Sequence, residues 1–238
     1  MKAIVTGSAS GIGRATAQRL SAAGFDVTQW DLASEPAVDV ASSRSVQAAA
    51  VRIDGQVDVV VLAAGVSRMA LLVDTSDDDW NFQMNVNAFG VFNCLRSLVP
   101  LMRDGGAIAV IDSVGGLRGA PYLSAYCASK FAVTGLIEAA APELAVREIR
   151  INAVCPMYVR TPMETRELEW EAGLRGVTTA EVFAGYESST PLGRVAEPDE
   201  IASVVEFLVT EPSRYMTGSM LTVSGGAHLG FTVERTRA

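Results

Sequence analysis

The chain alternates between two kinds of hydrophobic pattern. Short, nearly continuous apolar runs at 2–6, 25–30, 57–62, 106–112, 149–155 and 219–223 predict strands, and Val-Asp-Val-Val-Val-Leu at 57–62 is the clearest buried one. Between them lie segments with apolar residues at helical spacing, at 14–23, 43–53, 76–102, 124–147 and 198–209. A further short strand is expected at 36–40. Gly24 reads as a helix stop, and Ser76 followed by three aspartates as a helix start. Residues 157–195 have the least regular pattern and are rich in charge, glycine and threonine. No repeat, low-complexity tract or linker interrupts the alternation. The expectation is an α/β fold, a single Rossmann-type doubly wound domain spanning 1–238, with a parallel sheet and helices on both faces. In such sheets an excursion beyond a strand's C-terminal end covers the ligand, and 157–195 is expected to do so.

Composition narrows the chemistry. Of the 238 residues 49% are hydrophobic, enough for one large core, yet no apolar run reaches membrane-spanning length and no signal-peptide pattern is visible. A cytoplasmic location is expected. A net charge of −8 argues against nucleic acid or an anionic membrane as partner, and means that an anionic cofactor must be held by local dipoles. Cys94, Cys127 and Cys155 are scattered without a C-x-x-C, so reduced core thiols are expected, and no metal site. The one histidine, His228, leaves little room for a Ser-His-Asp or Cys-His mechanism. Among 19 basic residues only Lys2 and Lys130 are lysine, which suggests a need for a compact, titratable ammonium at 130.

Two motifs carry chemistry. The first strand runs into Gly7-Ser-Ala-Ser10-Gly11-Ile12-Gly13, a helix follows, and a second strand closes on Asp31. Glycines between strand and helix permit a tight turn and bring backbone N–H groups to a pyrophosphate at the helix N-terminus. A carboxylate at 31 accepts hydrogen bonds from ribose hydroxyls and repels a 2′-phosphate; with Leu32 beside it and no basic residue at Ser10, it favours NAD over NADP. The second motif is Tyr126-x-x-x-Lys130, one helical turn apart on one face. Ionising a tyrosine at neutral pH needs a shift of roughly 3 units, about 4 kcal/mol, toward which a nearby cation contributes. Of the pair Asn85 and Asn87, costly within a helix, one is expected to have a polar task.

Together, Thr6-Gly-x-x-x-Gly11-x-Gly13, Ala63-Ala64-Gly65, Asn85, Ser113, Tyr126-x-x-x-Lys130, Pro156, Thr161-Pro-Met163, Pro191-Leu-Gly-Arg194 and Gly225-Gly226 resemble the short-chain dehydrogenase/reductases over essentially the whole chain. The resemblance implies a seven-stranded sheet, a homotetramer or dimer formed through the helices holding Asn85 and Tyr126, and hydride transfer between NAD and a secondary alcohol or ketone. It implies Tyr126 as acid/base, Lys130 lowering its pKa and holding the nicotinamide ribose, Ser113 polarising the substrate oxygen, and Asn85 holding a relay water. Gly7, Ser10, Gly11, Ile12 and Gly13 would line the pyrophosphate turn, Asp31 and Leu32 the ribose, and Asp39 and Val40 the adenine. Ala63, Ala64, Gly65, Pro156, Val159 and Thr161 would complete the cofactor site. Three positions depart from the family pattern: Ala63 for asparagine, Met157 for glycine and Ser224 for aspartate. Substrate contacts are expected from Ser113, Val114, Tyr122, Tyr126, Met157 and Met163, with Leu117, Trp170 and Phe183 as further candidates. These suggest a largely apolar or cyclic alcohol, whereas Arg118, Arg160 or Arg166 could instead pair with an anionic group. Two other readings stay open: an NADP-dependent ketoacyl-type reductase, and a nucleotide-sensing protein without turnover.

Overall fold

The apolar runs become six strands: β1 (Lys2–Thr6), β2 (Asp26–Trp30), β3 (Val57–Leu62), β4 (Met102–Ile111), β5 (Arg150–Pro156) and β6 (Met220–Val223). In this computed structural model, which describes residues 1–232, they form one parallel sheet in the order β2-β1-β3-β4-β5-β6. The end of the tail, 233–238, lies outside the described residues. The chain steps outward from β1 to β2 and then returns past β1 to β3. That reversal opens a crevice at the C-terminal ends of the strands, where open α/β sheets bind ligands.

Strand periodicity divides the core. Ile4, Val60, Leu62, Ile108, Val110 and Ile151 face one way. They pack against α2 (Ser43–Ala50), α4 (Gly90–Leu98) and α5 (Ser124–Ala145), whose Val46, Leu98 and Ile137 are fully buried. Ala3, Val5, Val59, Val61, Ala107 and Ala109 face the other way, against Ala17 and Leu20 of α1 (Gly11–Ala22) and Ile201, Val205 and Leu208 of α8 (Pro198–Val209). Because both faces are covered, the strands read as continuous apolar runs and not as alternating ones. Arg150 locks the far edge. Its Nη1 donates to the carbonyls of Leu208 and Ser213, each at 3.0 Å, joining β5 to the end of α8.

Three expectations change. The segment 36–40 forms no strand, and the sheet has six strands where seven are implied. Its backbone groups are taken elsewhere: Val38 N–H by the Asp31 carbonyl, Asp39 N–H by the Ser45 hydroxyl, and the Val40 carbonyl by Asn93 of α4. The 76–102 segment is not one helix. It comprises α3 (Asp77–Gln83), one π-helical turn over Met84–Phe89, α4 and a short 3-10 turn. The 157–195 segment is more regular than expected and contains α6 (Pro162–Arg175) and α7 (Thr179–Ser189). Thr161 and Thr178 cap these helices by accepting from the backbone N–H of Glu164 and Glu181. Among the described residues, no helix is long and apolar enough to cross a membrane.

Candidate active site

A cleft of about 1070 Å³ lies along the C-terminal ends of β1, β3, β4 and β5, and α6 and α7 cover one end of it. Its floor is the glycine turn. Gly7 and Gly11 have φ of +66° and +51°, which disfavours any side chain there. A Cβ on Gly13 would stand 2.1 Å from the Gly7 carbonyl oxygen, and one on Gly7 would stand 2.7 Å from the Ala64 nitrogen. The turn, the start of α1 and the loop after β3 are thus packed backbone to backbone. Ser10 is the N-cap residue of α1 and makes no side-chain cap bond, so the first-turn amides are left for another acceptor. A phosphate group fits this cradle. The Thr6 hydroxyl accepts from the amides of both Ala63 and Ala64, at 3.0 and 3.1 Å, and so braces β1 to the loop after β3 without the asparagine that Ala63 replaces.

Gly7, Ser10, Gly11, Ile12, Gly13, Asp31, Leu32, Asp39, Val40, Ala63, Ala64, Gly65, Pro156, Val159 and Thr161 all line this one cleft. At the Asp31 end the carboxylate accepts from the amides of Ala9 and Ala33 at 3.1 and 3.0 Å. The lining there contains two carboxylates, Asp31 and Asp39, while its cationic residues, Arg118, Lys130, Arg166 and Arg175, come from other segments of the chain.

Deeper in the cleft, Ser113, Tyr126 and Lys130 converge. Ser113 follows β4 and its Oγ accepts from the Gly115 amide at 3.0 Å. A Cβ on Gly115 would meet the Tyr126 ring at 3.2 Å and Ser113 Oγ at 3.3 Å, so this glycine is the wall between the two. Lys130 is buried; its Nζ donates to the Ile111 carbonyl at 2.9 Å and sits 5.8 Å from the centroid of the Tyr126 ring. Burial lowers the Lys130 pKa, against the opposing pull of Asp112. Burial raises the Tyr126 pKa, the nearby Glu167 charge raises it further, and the Ser113 hydroxyl acts in the other direction. Without cofactor the net direction is upward, opposite to the lowering that the Tyr–Lys spacing suggests.

The two asparagines part ways. Asn85 lines the cleft. Asn87 is buried and fully engaged: Oδ1 accepts from Val66 N at 2.8 Å, and Nδ2 donates to the Val66 carbonyl and to Ser129 Oγ, each at 2.9 Å. Ser129 in turn donates to the Tyr126 carbonyl. A Cβ on Gly65 would lie 3.4 Å from Asn87 Oδ1 and 4.0 Å from Lys130 Nζ, so Asn87 and Lys130 meet at this glycine. The sequence carries a signal for this. Gln83, Asn87, Val91, Cys94, Leu95 and Leu98 form the buried stripe of the segment, and Asn85 falls outside it.

At the covered end, Val114, Tyr122, Met157 and Met163 line the cleft as expected, whereas Leu117, Trp170 and Phe183 do not. Tyr122 holds φ of 64°, a strained value for a residue with a side chain. Arg118 and Arg166 border the cleft; Arg160 instead pairs with Glu197 and lies over the Phe183 ring. Residues absent from the sequence-based expectation also face inward: Tyr158, Glu164, Glu167, Glu171, Arg175 and Tyr186. His228 shares a 2.7 Å hydrogen bond with Ser224, and its carbonyl accepts from Arg118 at 2.6 Å, which brings the tail to the cleft mouth. All three cysteines are free and buried, and burial pushes Cys94 and Cys155 up to about 12. Among the described residues no group of acids, histidines or cysteines forms a metal site.

Comparison with known proteins shows the family and agrees with the fold. A family described as enoyl-(acyl carrier protein) reductase matches residues 7–228. The 3-oxoacyl-(acyl-carrier-protein) reductase of Thermotoga maritima is 36% identical over 246 residues, covering 94% of this chain and 96% of its own. Among solved structures, the aldohexose dehydrogenase of Thermoplasma acidophilum aligns with a TM-score of 0.89 at 30% identity, covering 99% and 97% of the two chains. An actinorhodin polyketide ketoreductase with NADPH aligns with a TM-score of 0.89 at 31% identity, covering 95% and 97%. The chain belongs to the short-chain dehydrogenase/reductase family, whose fold binds a nicotinamide dinucleotide.

Glu164 provides a pH test. It is buried, and desolvation raises its carboxyl to about 7 from an ordinary value of 4.5. A folded pKa above the unfolded one means that the native state binds the proton more tightly between those values, so this group reduces stability as pH rises through that window. Glu164→Gln should therefore raise the thermal unfolding midpoint at pH 8, and the gain should vanish at pH 4; differential scanning calorimetry at both pH values checks this.

Proposed function

We propose that the protein interconverts a ketone and a secondary alcohol by hydride transfer, with Tyr126 exchanging the proton at the reacting oxygen. The observation that carries this reading is the convergence of Ser113, Tyr126 and Lys130 in a cleft whose floor is a glycine turn, with the buried Asn87 reaching the Gly65 backbone beside Lys130. Gly7 to Gly13 would hold the pyrophosphate, Asp31 and Leu32 the ribose, Asp39 and Val40 the adenine, and Ala63 to Gly65 with Pro156, Val159 and Thr161 the nicotinamide end. The nicotinamide supplies or accepts the hydride. Ser113 donates a hydrogen bond to the substrate oxygen, stabilising charge as it develops there. Tyr126 gives that oxygen its proton in reduction and takes it back in oxidation. Lys130, anchored on the Ile111 carbonyl, keeps further N–H donors for the cofactor ribose and for solvent. The relay position falls to Asn87, through its approach to Lys130, in place of Asn85.

A protonated phenol can give the reacting oxygen its proton in ketone reduction. Two of the similar proteins are reductases of ketoacyl or polyketide chains by name, which supports the same direction and favours a ketoacyl-type substrate over a simple alcohol. For the cofactor the lines of support diverge. The ketoreductase that carries NADPH favours NADP. Asp31 and Asp39 at the ribose end of this chain would face a 2′-phosphate with negative charge, which favours NAD. We take NAD(H) as the reading for this chain. The exposed rings of Phe89, Phe92 and Phe131 on the π turn, α4 and α5 support a homo-oligomer formed through these helices.

Tyr126→Phe should still bind NADH, seen as a thermal shift, yet lose activity by about 10²–10⁴-fold, the usual contribution of a positioned acid/base; undiminished turnover would sink the assignment. Asn87→Ala should lower kcat at least tenfold more than Asn85→Ala, read by steady-state kinetics on one ketone, by roughly the factor that 1.4 kcal/mol represents. Wild-type kcat/KM should be higher with NADH than with NADPH, and Asp31→Ala should narrow that gap. Equal use of the two cofactors by the wild type would instead support the NADP reading.

A further inference from the structure

The covering helix α6 turns a row of carboxylates into the cleft. Glu164, Glu167 and Glu171 follow the i, i+3, i+7 spacing of a single helix face, and all three line the cavity. Glu171 is satisfied: Oε2 accepts from the Tyr186 hydroxyl and Oε1 from Arg175, both at 2.7 Å. Glu164 is only 6% exposed, and its Oε1 has no hydrogen-bond partner among the described residues. Glu167 forms no ion pair there either; Arg166, its sequence neighbour, favours its charge only from a distance. Beside it the buried Ser67 hydroxyl lies behind the cleft wall and hydrogen-bonds the Glu167 carboxylate, holding it in place while the carboxylate itself lines the cleft. Opposite is a flat aromatic wall, Tyr158 stacked on Tyr186 with ring centroids 4.0 Å apart.

Buried acceptors without donors cost free energy unless a ligand supplies the missing donor. An alkyl chain laid along α6 would leave Glu164 Oε1 without a donor and Glu167 with Ser67 alone, and an anionic group would be repelled by the Glu167 charge. A hydroxyl or an ammonium would supply the donor that the cleft-facing carboxylates can still accept. Glu167 is also close enough to Tyr126 for its charge to oppose ionisation of the phenol, so a donor held by Glu167 lies near the reacting carbon.

We propose that Glu167, assisted by Ser67, reads the substrate, and that the substrate carries a hydrogen-bond donor, hydroxyl or ammonium, on a carbon near the reacting carbonyl or carbinol. This rests on the ketone–alcohol reading above. It keeps that reaction but replaces the ketoacyl-type substrate suggested by the similar reductases with small hydroxylated or aminated ketones, since the acidic carrier of an acyl chain would meet a protein of net charge −8.

The test is a matched ketone series with the full-length protein and NADH or NADPH: 2-butanone, hydroxyacetone, aminoacetone, acetoacetate and an acetoacetyl thioester. Hydroxyacetone or aminoacetone should exceed 2-butanone in kcat/KM by about tenfold or more, with acetoacetate lowest, since sites built to bond a polar group reject analogues lacking it. The stronger of the two identifies the donor as neutral or cationic. Glu167→Gln should collapse this ratio toward one, and Ser67→Ala should reduce it, while Glu169→Gln on the exposed face should leave it unchanged. If Glu167→Gln does not fold, the Ser67→Ala ratio decides alone. Turnover of 2-butanone with a ratio insensitive to both variants, or a preference for acetoacetate or the thioester, would overturn this inference and leave the ketone reading standing. No turnover of any member would overturn both.

Discussion

The side-chain amide of Asn87 is the joint on which the Tyr126–Lys130 end of the cleft depends. It occupies both the N–H and the carbonyl of Val66 and donates to Ser129, whose hydroxyl donates to the Tyr126 carbonyl. One residue therefore ties the loop after β3 to the first turns of α5. The π turn at Met84–Phe89 places it there. Such turns recur at functional sites because the extra residue re-aims side chains relative to the rest of the helix. Lys130 is fixed from the other side by the last carbonyl of β4. Tyr126 and Lys130 keep their mutual geometry because the sheet, the π turn and α5 hold them together, and not through any bond between the two side chains.

The charges of the cleft follow a different logic. The glycine turn offers backbone dipoles to an anion without a lysine or arginine among them, as a chain of net charge −8 requires. At the covered end the protein buries carboxylates next to a tyrosine. Burial and like charge both hold Glu164, Glu167 and Tyr126 in their protonated forms more strongly than water would.

The sheet and its cofactor turn were legible in the sequence because both obey strong local rules. Buried parallel strands are continuous apolar runs, and the turn needs glycine because a Cβ on Gly7 or Gly13 would strike neighbouring backbone. Other parts were hidden for physical reasons. Val38 and Val40 are as buried as strand residues, so composition alone suggests a strand, yet the backbone of the segment is engaged elsewhere: Val38 N–H by the Asp31 carbonyl, Asp39 N–H by Ser45 of α2 and the Val40 carbonyl by Asn93 of α4. Asn85 and Asn87 look alike until the buried stripe running from Gln83 to Leu98 is followed through the π turn. α6 escaped notice because its inward face is a cleft wall of glutamates, so its two faces differ little in polarity. The inward turn of those glutamates is a tertiary fact that no local pattern encodes.

The cover has a core of its own. Ala172, Val182, Tyr186 and Val195 form a cluster separate from the two that flank the sheet, with Tyr158, Leu168, Val177 and Phe183 around it. The sheet end of the cleft, by contrast, is clamped by the Thr6 hydroxyl and the backbone-to-backbone contacts of the glycine turn. The two halves of the cleft are therefore mechanically unequal, one a fixed anvil and the other a self-contained plate. A cover packed on its own cluster can loosen locally without unpicking the two clusters that flank the sheet. Substitutions inside that small core would then be felt first in the pace of product escape, before any loss of the fold as a whole.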